Sequence, residues 1–298
     1  MKILVLGGTA FFGRRLVRLL LEEGHDVTVA TRGQTPDDFG DAVTRIRVDR
    51  ADRDAMIEAF DGQVYDVVYD QICFNPVEAK IACDAFGNRV QRYIFTSSMA
   101  VYPDQETEIT EKDFLPEAYR YDLEAGQYSY VEGKRQAEAY FFQNAVFPVA
   151  AVRVAMVVSG TDDYTGRFDF YVKHVAEQQS IGVFDAEHPI SYVTSWDAAE
   201  FLRFIGTKSD FAGPVNAANS GHLSIRELCR HIGGVLNKEP KFHIGRQEDG
   251  NLSPYALFAC TWKLSNAKAA SLGYDFQPIT QVIPSMVNES LARLKLNG

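Results

Sequence analysis

The opening stretch KILVLGGTAFFGRRLVRLLLEEG constrains the fold of this chain more than any other. A strand-length run, Lys2 to Leu6, enters a glycine-rich turn. The turn leads directly into a helical pattern with Leu16, Val17, Leu20 and Leu21 on one face. Gly24 follows where a helix C-cap belongs. The same alternation then recurs. VTVAT (27–31), TRIRV (44–48), YDVVYD (65–70), YIFTS (93–97) and VAAVR (149–153) read as strands. Helices are expected from near 51, over 76–86 and over 132–144. Repeated β-α-β units with right-handed crossovers predict an α/β fold, a doubly wound parallel sheet of the Rossmann type.

Beyond residue 154 the pattern loosens. SYVTSWDAAEFLRFI (191–205) reads as a short strand and a helix, GPVNAAN (213–219) as another strand, and a helix begins near 224. The expected organisation is a nucleotide-binding domain over 1–154, to which 191–219 returns. A smaller substrate-binding region is then built from 155–190 and 220–298.

A chain of 298 residues can bury a core of this size. Its 40 acidic and 30 basic side chains give a net charge of −10. Binding a phosphate backbone or an anionic membrane needs a basic patch, so nucleic acid and membrane are not the expected partners. No stretch reaches the ~18–20 apolar residues of a membrane span, and Ile3 to Leu6 is too short for a secretory core. A cytoplasmic location is expected. Cys73, Cys83, Cys229 and Cys260 show no C-x-x-C spacing and read as reduced, buried thiols. The six histidines show no ligand spacing, and no metal is expected.

The turn after the first strand is GGTAFFG, Gly7 to Gly13. A strand precedes it and a helix follows, the setting in which backbone N–H groups at a helix N-terminus bind a pyrophosphate. Gly7, Gly8 and Gly13 are present, but Ala10 stands where a dinucleotide loop usually has its middle glycine. The alanine methyl fits if φ is negative there. The second strand runs into Thr31-Arg32-Gly33-Gln34 and offers no acid for a ribose 2′-hydroxyl; Arg32 suits a 2′-phosphate instead. The expected cofactor is therefore NAD(P), leaning to NADP. Asp49, after the third strand, is placed to meet the adenine, whereas Asp52 can cap the next helix.

The segment QYSYVEGKRQAEAYF holds the chemistry. Tyr130 and Lys134 are four residues apart on a helix and so share a face. An ammonium beside a phenol favours phenolate, and the tyrosine can then exchange a proton with a substrate hydroxyl or carbonyl. Thr96 and Ser98 lie at the carboxyl end of the fifth strand, on the same rim as the glycine loop. The Ser98 hydroxyl can hold the substrate oxygen against Tyr130. In DDYTGRFDFY (162–171), Asp163, Thr165 and Arg167 alternate as on one side of an extended segment, and Arg167 suits a substrate phosphate or carboxylate. Residues 103–129 carry eight acids against Lys112 and Arg120 and read as a lid or a solvated loop.

These motifs, in this order, resemble the extended short-chain dehydrogenase/reductase superfamily, in its NAD-dependent epimerase/dehydratase branch. The resemblance rests on GGTAFFG, FTSSMAVY, Tyr130-Val-Glu-Gly-Lys134, the strand ending at Arg153, SYVTSWDAAEFL, GPVNAAN and LSNAKAASLGYDFQP. It implies a Ser98/Tyr130/Lys134 catalytic triad. It also implies that Lys134 holds the nicotinamide ribose and that the backbone at Gly7, Ala10, Phe11, Phe12 and Gly13 faces the pyrophosphate. A homodimer is implied by the same analogy. The chain departs from the family pattern at Ala10, at Arg32, and in RVAMVVSG, where a proline is usual. Met99 and Ala100 follow Ser98 where 4,6-dehydratases usually have Asp-Glu, so dehydration is disfavoured. The expected function is oxidoreductase or epimerase chemistry at a carbinol or carbonyl carbon of a small molecule, with nucleotide sugars as one substrate class. The alternative is a non-catalytic NAD(P)-binding or RNA-binding protein on the same scaffold.

Overall fold

Alternate residues of the first strand face opposite ways, and this decides the layering. In the computed structural model, which describes residues 1–247, 249–256 and 260–296, β1 (Lys2–Leu6) is buried on both faces. Ile3 and Val5 join one apolar cluster, Leu4 and Leu6 another. A strand sandwiched in this way has no polar side, hence its unbroken apolar run.

The main elements follow in chain order: α1 (Phe11–Glu22), β2 (Asp26–Thr31), β3 (Thr44–Arg47), α2 (Arg53–Ala59), β4 (Tyr65–Asp70), α3 (Pro76–Phe86), β5 (Val90–Ser98), α4 (Tyr130–Asn144), β6 (Val149–Val154), β7 (Met156–Val158), α5 (Arg167–Ala176), β8 (Ser180–Val183), β9 (Tyr192–Thr194), α6 (Ser195–Thr207), β10 (Gly213–Ala217), α7 (Ile225–Leu236), β11 (Lys241–Ile244), α8 (Ala267–Ser271) and α9 (Ile279–Leu296). Among the described residues the central sheet has seven strands in the order β10-β6-β5-β4-β1-β2-β3, all parallel. Helices α1 and α6 pack together on one face, and α2, α3 and α4 on the other. This is the doubly wound Rossmann-type fold expected from the alternation.

Strand order reverses between β1 and β4, and ligands bind such sheets at the carboxyl rim beside that point. The register aligns the rim: Leu6 is level with Asp70, Asp70 with Phe95, and Ser98 with Val154. β10 pairs with β6, whereas β9 pairs with β7 outside the main sheet, as β8 and β11 pair with each other. The expected C-terminal region, 220–298, includes positions 248, 257–259 and 297–298, which lie outside the described residues.

Candidate active site

Two cavities open along the rim and share Phe74. One, of about 380 Å³, is lined by Gly7, Thr31, Arg32, Asp49 and Arg50, among others. The other, of about 610 Å³, is lined by Phe11, Phe12, Thr96, Ser98, Tyr130 and Lys134 and reaches Arg167. The glycine loop thus lies between a cavity at β2 and β3 and a cavity at β5 and α4.

The loop is shaped for close approach. Gly7 and Gly8 have φ of 94° and 83°, and a Cβ on Gly8 would lie 2.8 Å from Val5 Cγ1. Side chains larger than hydrogen are excluded there. Ala10 has φ −138° and ψ 156°, ordinary extended backbone, and is exposed. Its methyl meets the condition set by the sequence. Ala10 is also the N-cap of α1 and supplies no side-chain bond, so the first N–H groups of α1 remain for an anion. By contrast Asp52, Asn75, Ser129, Thr194 and Ser224 cap α2, α3, α4, α6 and α7 with their own side chains. Phe11 holds φ 51°, a strained value for an aromatic residue. Its ring stands edge-on to Tyr164, with centroids 5.9 Å apart.

At the rim of β5, the Ser98 hydroxyl accepts a hydrogen bond from the Ala100 N–H at 3.2 Å. Ser97, its neighbour, turns the other way and donates to the buried Glu138. Glu138 forms a fully buried pair with Arg153 at 2.7 Å, which fixes α4 against β6. Ser129 caps α4, and Tyr130 is its first residue, with Lys134 one turn on. Lys134 is 2% exposed and donates to the carbonyls of Cys73 at 2.7 Å and Thr96 at 2.8 Å. Burial pulls its ammonium pKa down to about 8. Tyr130 is 54% exposed because its ring flanks the cavity mouth. Its hydroxyl lies deeper: burial raises the phenol pKa, while the Ser98 hydroxyl and the Arg167 charge pull it down. Burial, Ser98, Arg167 and Tyr164 thus set this phenol, while the Lys134 ammonium donates to the Cys73 and Thr96 carbonyls.

Polar atoms without partners test whether a dinucleotide fits. Both side-chain amide atoms of Gln71 and the Thr96 hydroxyl are buried with no hydrogen-bond partner, and both residues line the larger cavity. Buried polar groups are rarely left unpaired except where a ligand or water completes them. Together with the open N-terminus of α1, these groups fit a pyrophosphate and nicotinamide riboside. Arg32 is exposed, lines the smaller cavity and forms no ion pair among the described residues. Asp49 lines the same cavity, with one carboxylate oxygen accepting from the Ala51 N–H. Asp52 caps α2.

Gln71, Arg50 and Gly133 were not singled out from the sequence. Gln71 follows the last residue of β4, a rim position that strand reading alone could have flagged. Arg50 is buried against Asp70 and lies 3.3 Å from Glu78, pairings that span 20 and 28 residues and leave no local signal. The reading of 162–167 as extended does not hold. Asp163 is buried, accepts from the Thr165 N–H at 2.8 Å and makes a turn, Gly166 takes φ 66°, and Arg167 opens α5. The Asx turn and the positive-φ glycine replace the strand. The connection 103–129 is pinned as well: Ile109 bridges to Leu264, Glu111 is buried, and Arg153 holds the carbonyls of Glu111 and Phe114. All four cysteines are free, and no group of residues among those described is arranged to hold a metal ion. No described helix is long and apolar enough to cross a membrane.

The model of the NAD dependent epimerase/dehydratase family matches residues 3–80, which include the glycine loop and the smaller cavity. Over this N-terminal region the chain is similar to that family. The fold agrees along the rest of the chain. It superposes on UDP-glucose 4-epimerase of Thermotoga maritima, solved with UDP-glucose, with a TM-score of 0.75 at 16% identity, covering 99% of this chain and 100% of that one. The Thermus thermophilus UDP-glucose 4-epimerase, solved with NAD, gives 0.71 at 19% identity over 98% and 99%. At these identities the likeness concerns the fold. Two curated relatives are closer in sequence over shorter stretches. The chloroplast stem-loop binding protein of 41 kDa b of Arabidopsis thaliana is 34% identical over 114 residues, 34% of this chain and 30% of that protein. The 2'-dehydrokanamycin reductase of Streptomyces kanamyceticus is 30% identical over 125 residues, 42% of this chain and 35% of that protein. The matches span about a third of each curated relative.

Proposed function

We propose that the chain is an NAD(P)-dependent oxidoreductase or epimerase acting at a carbinol or carbonyl carbon of a small molecule. The observation that carries this reading is convergence. Ser98, Tyr130 and Lys134 meet in one cavity beside the uncapped N-terminus of α1, and the partnerless groups of Gln71 and Thr96 face the same space. When bound, the nicotinamide supplies or accepts a hydride at the substrate carbon. Ser98 holds the substrate oxygen and Tyr130 moves its proton. Lys134 orients the ribose with the N–H that its two carbonyl bonds leave over. The uncapped N-terminus of α1 receives the pyrophosphate, and Asp49 faces the adenine.

Arg32, exposed and without an acidic partner, supports NADP as the preferred form. Met99 and Ala100 after Ser98 supply no acid for a leaving hydroxyl, which weighs against 4,6-dehydration. A second reading, RNA binding, is favoured by the resemblance to the stem-loop binding protein. Against it stand the net charge of −10 and the pairing of Arg15 and Arg18 on α1 with Asp162 and Asp38.

The test is Tyr130→Phe. Nucleotide binding should persist, while turnover falls at least about 100-fold, the usual contribution of a positioned acid–base group. Turnover that survives the substitution overturns the catalytic reading.

A further inference from the structure

The cavity at Tyr130 has an unusual charge pattern for so acidic a chain. Of 40 acidic side chains in the sequence, none is among the described residues lining it, whereas two cations are. Lys134 is held by the carbonyls of Cys73 and Thr96. Arg167 is different. It is half-buried, lies over the Tyr255 ring at 5.9 Å and forms no ion pair among the described residues. The acids around it are engaged elsewhere. Asp162 pairs with Arg15 and Asp169 with Arg293. Asp163 does not line the cavity; one of its oxygens holds Thr165, and the other is buried without a partner. Arg167 also opens α5, whose N-cap Gly166 has no side chain; the Arg167 N–H donates to the Thr165 hydroxyl at 3.4 Å, and the N–H groups after it have no side-chain cap. A cation at a helix N-terminus opposes the helix dipole, so both features favour an anion at one point.

Away from Gln71 and Thr96, which face the nucleotide side, most of the wall is apolar. Met99, Ala100, Val154, Met156, Val157 and Trp262 form most of the substrate side. Its polar groups reduce to Ser98, Tyr130, the exposed Tyr164, Thr165 and Arg167, with the Arg167 charge near enough to act on the Tyr130 phenol. A sugar with many hydroxyls would leave most of them unpaired against this wall, and a nucleoside diphosphate would bring two charges to one free cation.

We propose, building on the function above, that the substrate is a small hydroxy or oxo compound with one carboxylate or phosphate bound by Arg167, and an otherwise apolar body. Ser98 and Tyr130 take the reacting oxygen, and Arg167 takes the anion in the same cavity. The planar guanidinium and the α5 N–H groups accept either anion.

Ligand-observed NMR on the full chain saturated with NADP⁺ tests this. The probes are α-ketoisocaproate against its neutral counterpart methyl isobutyl ketone, dihydroxyacetone phosphate against dihydroxyacetone, and UDP-glucose. One anionic probe should bind at least about 10-fold tighter than its neutral counterpart and tighter than UDP-glucose. Arg167→Gln should erase that difference, and Arg167→Lys should restore part of it. Preference for α-ketoisocaproate identifies a carboxylate, preference for dihydroxyacetone phosphate a phosphate. Equal binding of the neutral partners, tighter binding of UDP-glucose, no binding of either anion, or an unchanged preference in Arg167→Gln each overturns the proposal. None of these outcomes touches the proposed function, which stands or falls on the turnover of Tyr130→Phe.

Discussion

Ala10 and Lys134 carry the sharpest expectations at the scale of single residues. Ala10 replaces the usual middle glycine, yet its φ of −138° lies where any residue is comfortable and its methyl points to solvent. Glycine would regain freedom that the folded loop does not use. Ala10→Gly is therefore expected to leave affinity for nicotinamide nucleotide within about twofold, since no contact is gained or lost. A tenfold gain by titration would show that the methyl obstructs the pyrophosphate. Lys134 has a different signature. Burial brings its pKa down to about 8, against about 10.4 in an unfolded chain. Between these values the unfolded state binds more protons than the folded one, so this residue's contribution to stability rises with pH. Full development is worth up to about 3 kcal/mol. Buried cysteines and tyrosines titrate in the same range with raised pKa values, so the comparison must be internal. Unfolding free energies of the unliganded protein and of Lys134→Met, measured by urea at pH 7 and pH 10, should converge or cross in favour of the wild type as pH rises. Parallel pH dependence in the two proteins would contradict a lysine held against its charge.

Helix α4 shows at the scale of elements why Tyr-Val-Glu-Gly-Lys carries a glycine. Gly133 closes the first turn of α4, and inside a helix glycine costs about 1 kcal/mol relative to alanine. A Cβ there would collide with the Phe74 carbonyl oxygen and touch Tyr128. The glycine lets α4 press against the turn after β4, which is how Lys134 reaches the Cys73 carbonyl. Gly133→Ala should push helix and turn apart. We expect nucleotide affinity to fall at least about tenfold and stability to drop by about 1–3 kcal/mol despite the better helix propensity. A variant that is more stable and binds normally would show that the contact is slack. The elements most legible in the sequence share this local logic. β1, the glycine loop, α1, α3 and the start of α4 announce themselves through apolar period, turn residues and caps lying within a few positions. Thr96, Ser98, Tyr130 and Lys134 are legible as one rim because strand ends and helix spacing are local. The turn 163–166 was misread because its Asx bond and positive-φ glycine mimic alternation in a short window. The pairing of Arg50 with Asp70 and of Glu138 with Arg153 needs the fold itself, since only packing brings those charges out of water together.

The larger apolar cluster runs through the whole molecule, from Ile3 and Val5 in the first strand to Ile283 and Val287 in the last helix. The site therefore depends on how the C-terminal part is seated on the sheet. Asp162 is the principal polar tie at the place that matters. It receives Arg15 of α1, the Ser159 hydroxyl at 2.5 Å and the Ser195 hydroxyl of α6 at 2.8 Å. Arg15 also donates to Thr161 at 2.7 Å. The segment so anchored continues through Tyr164, which meets Phe11, to Thr165 and Arg167 at the cavity. Asp162 lines neither cavity, so its effect on binding must pass through position. Burial raises its pKa, but Arg15 and the two serines more than offset this and hold it below the usual carboxylate value. A group with a depressed folded pKa gives stability that is present above about pH 4 and lost as pH falls through the folded value. Asp162→Asn keeps the shape and removes the charge. At pH 7 we expect a loss of about 1–3 kcal/mol by urea unfolding, shrinking toward zero near pH 2, because protonation makes the wild type resemble the variant. Substrate KM should rise several-fold while nucleotide affinity stays within about twofold, since the loop at Gly7 and Ala10 is held by its own backbone. Loss of nucleotide binding in step with KM would mean that Asp162 supports the sheet as a whole. Wild-type KM at reduced stability would mean that Thr165 and Arg167 are positioned by the turn alone.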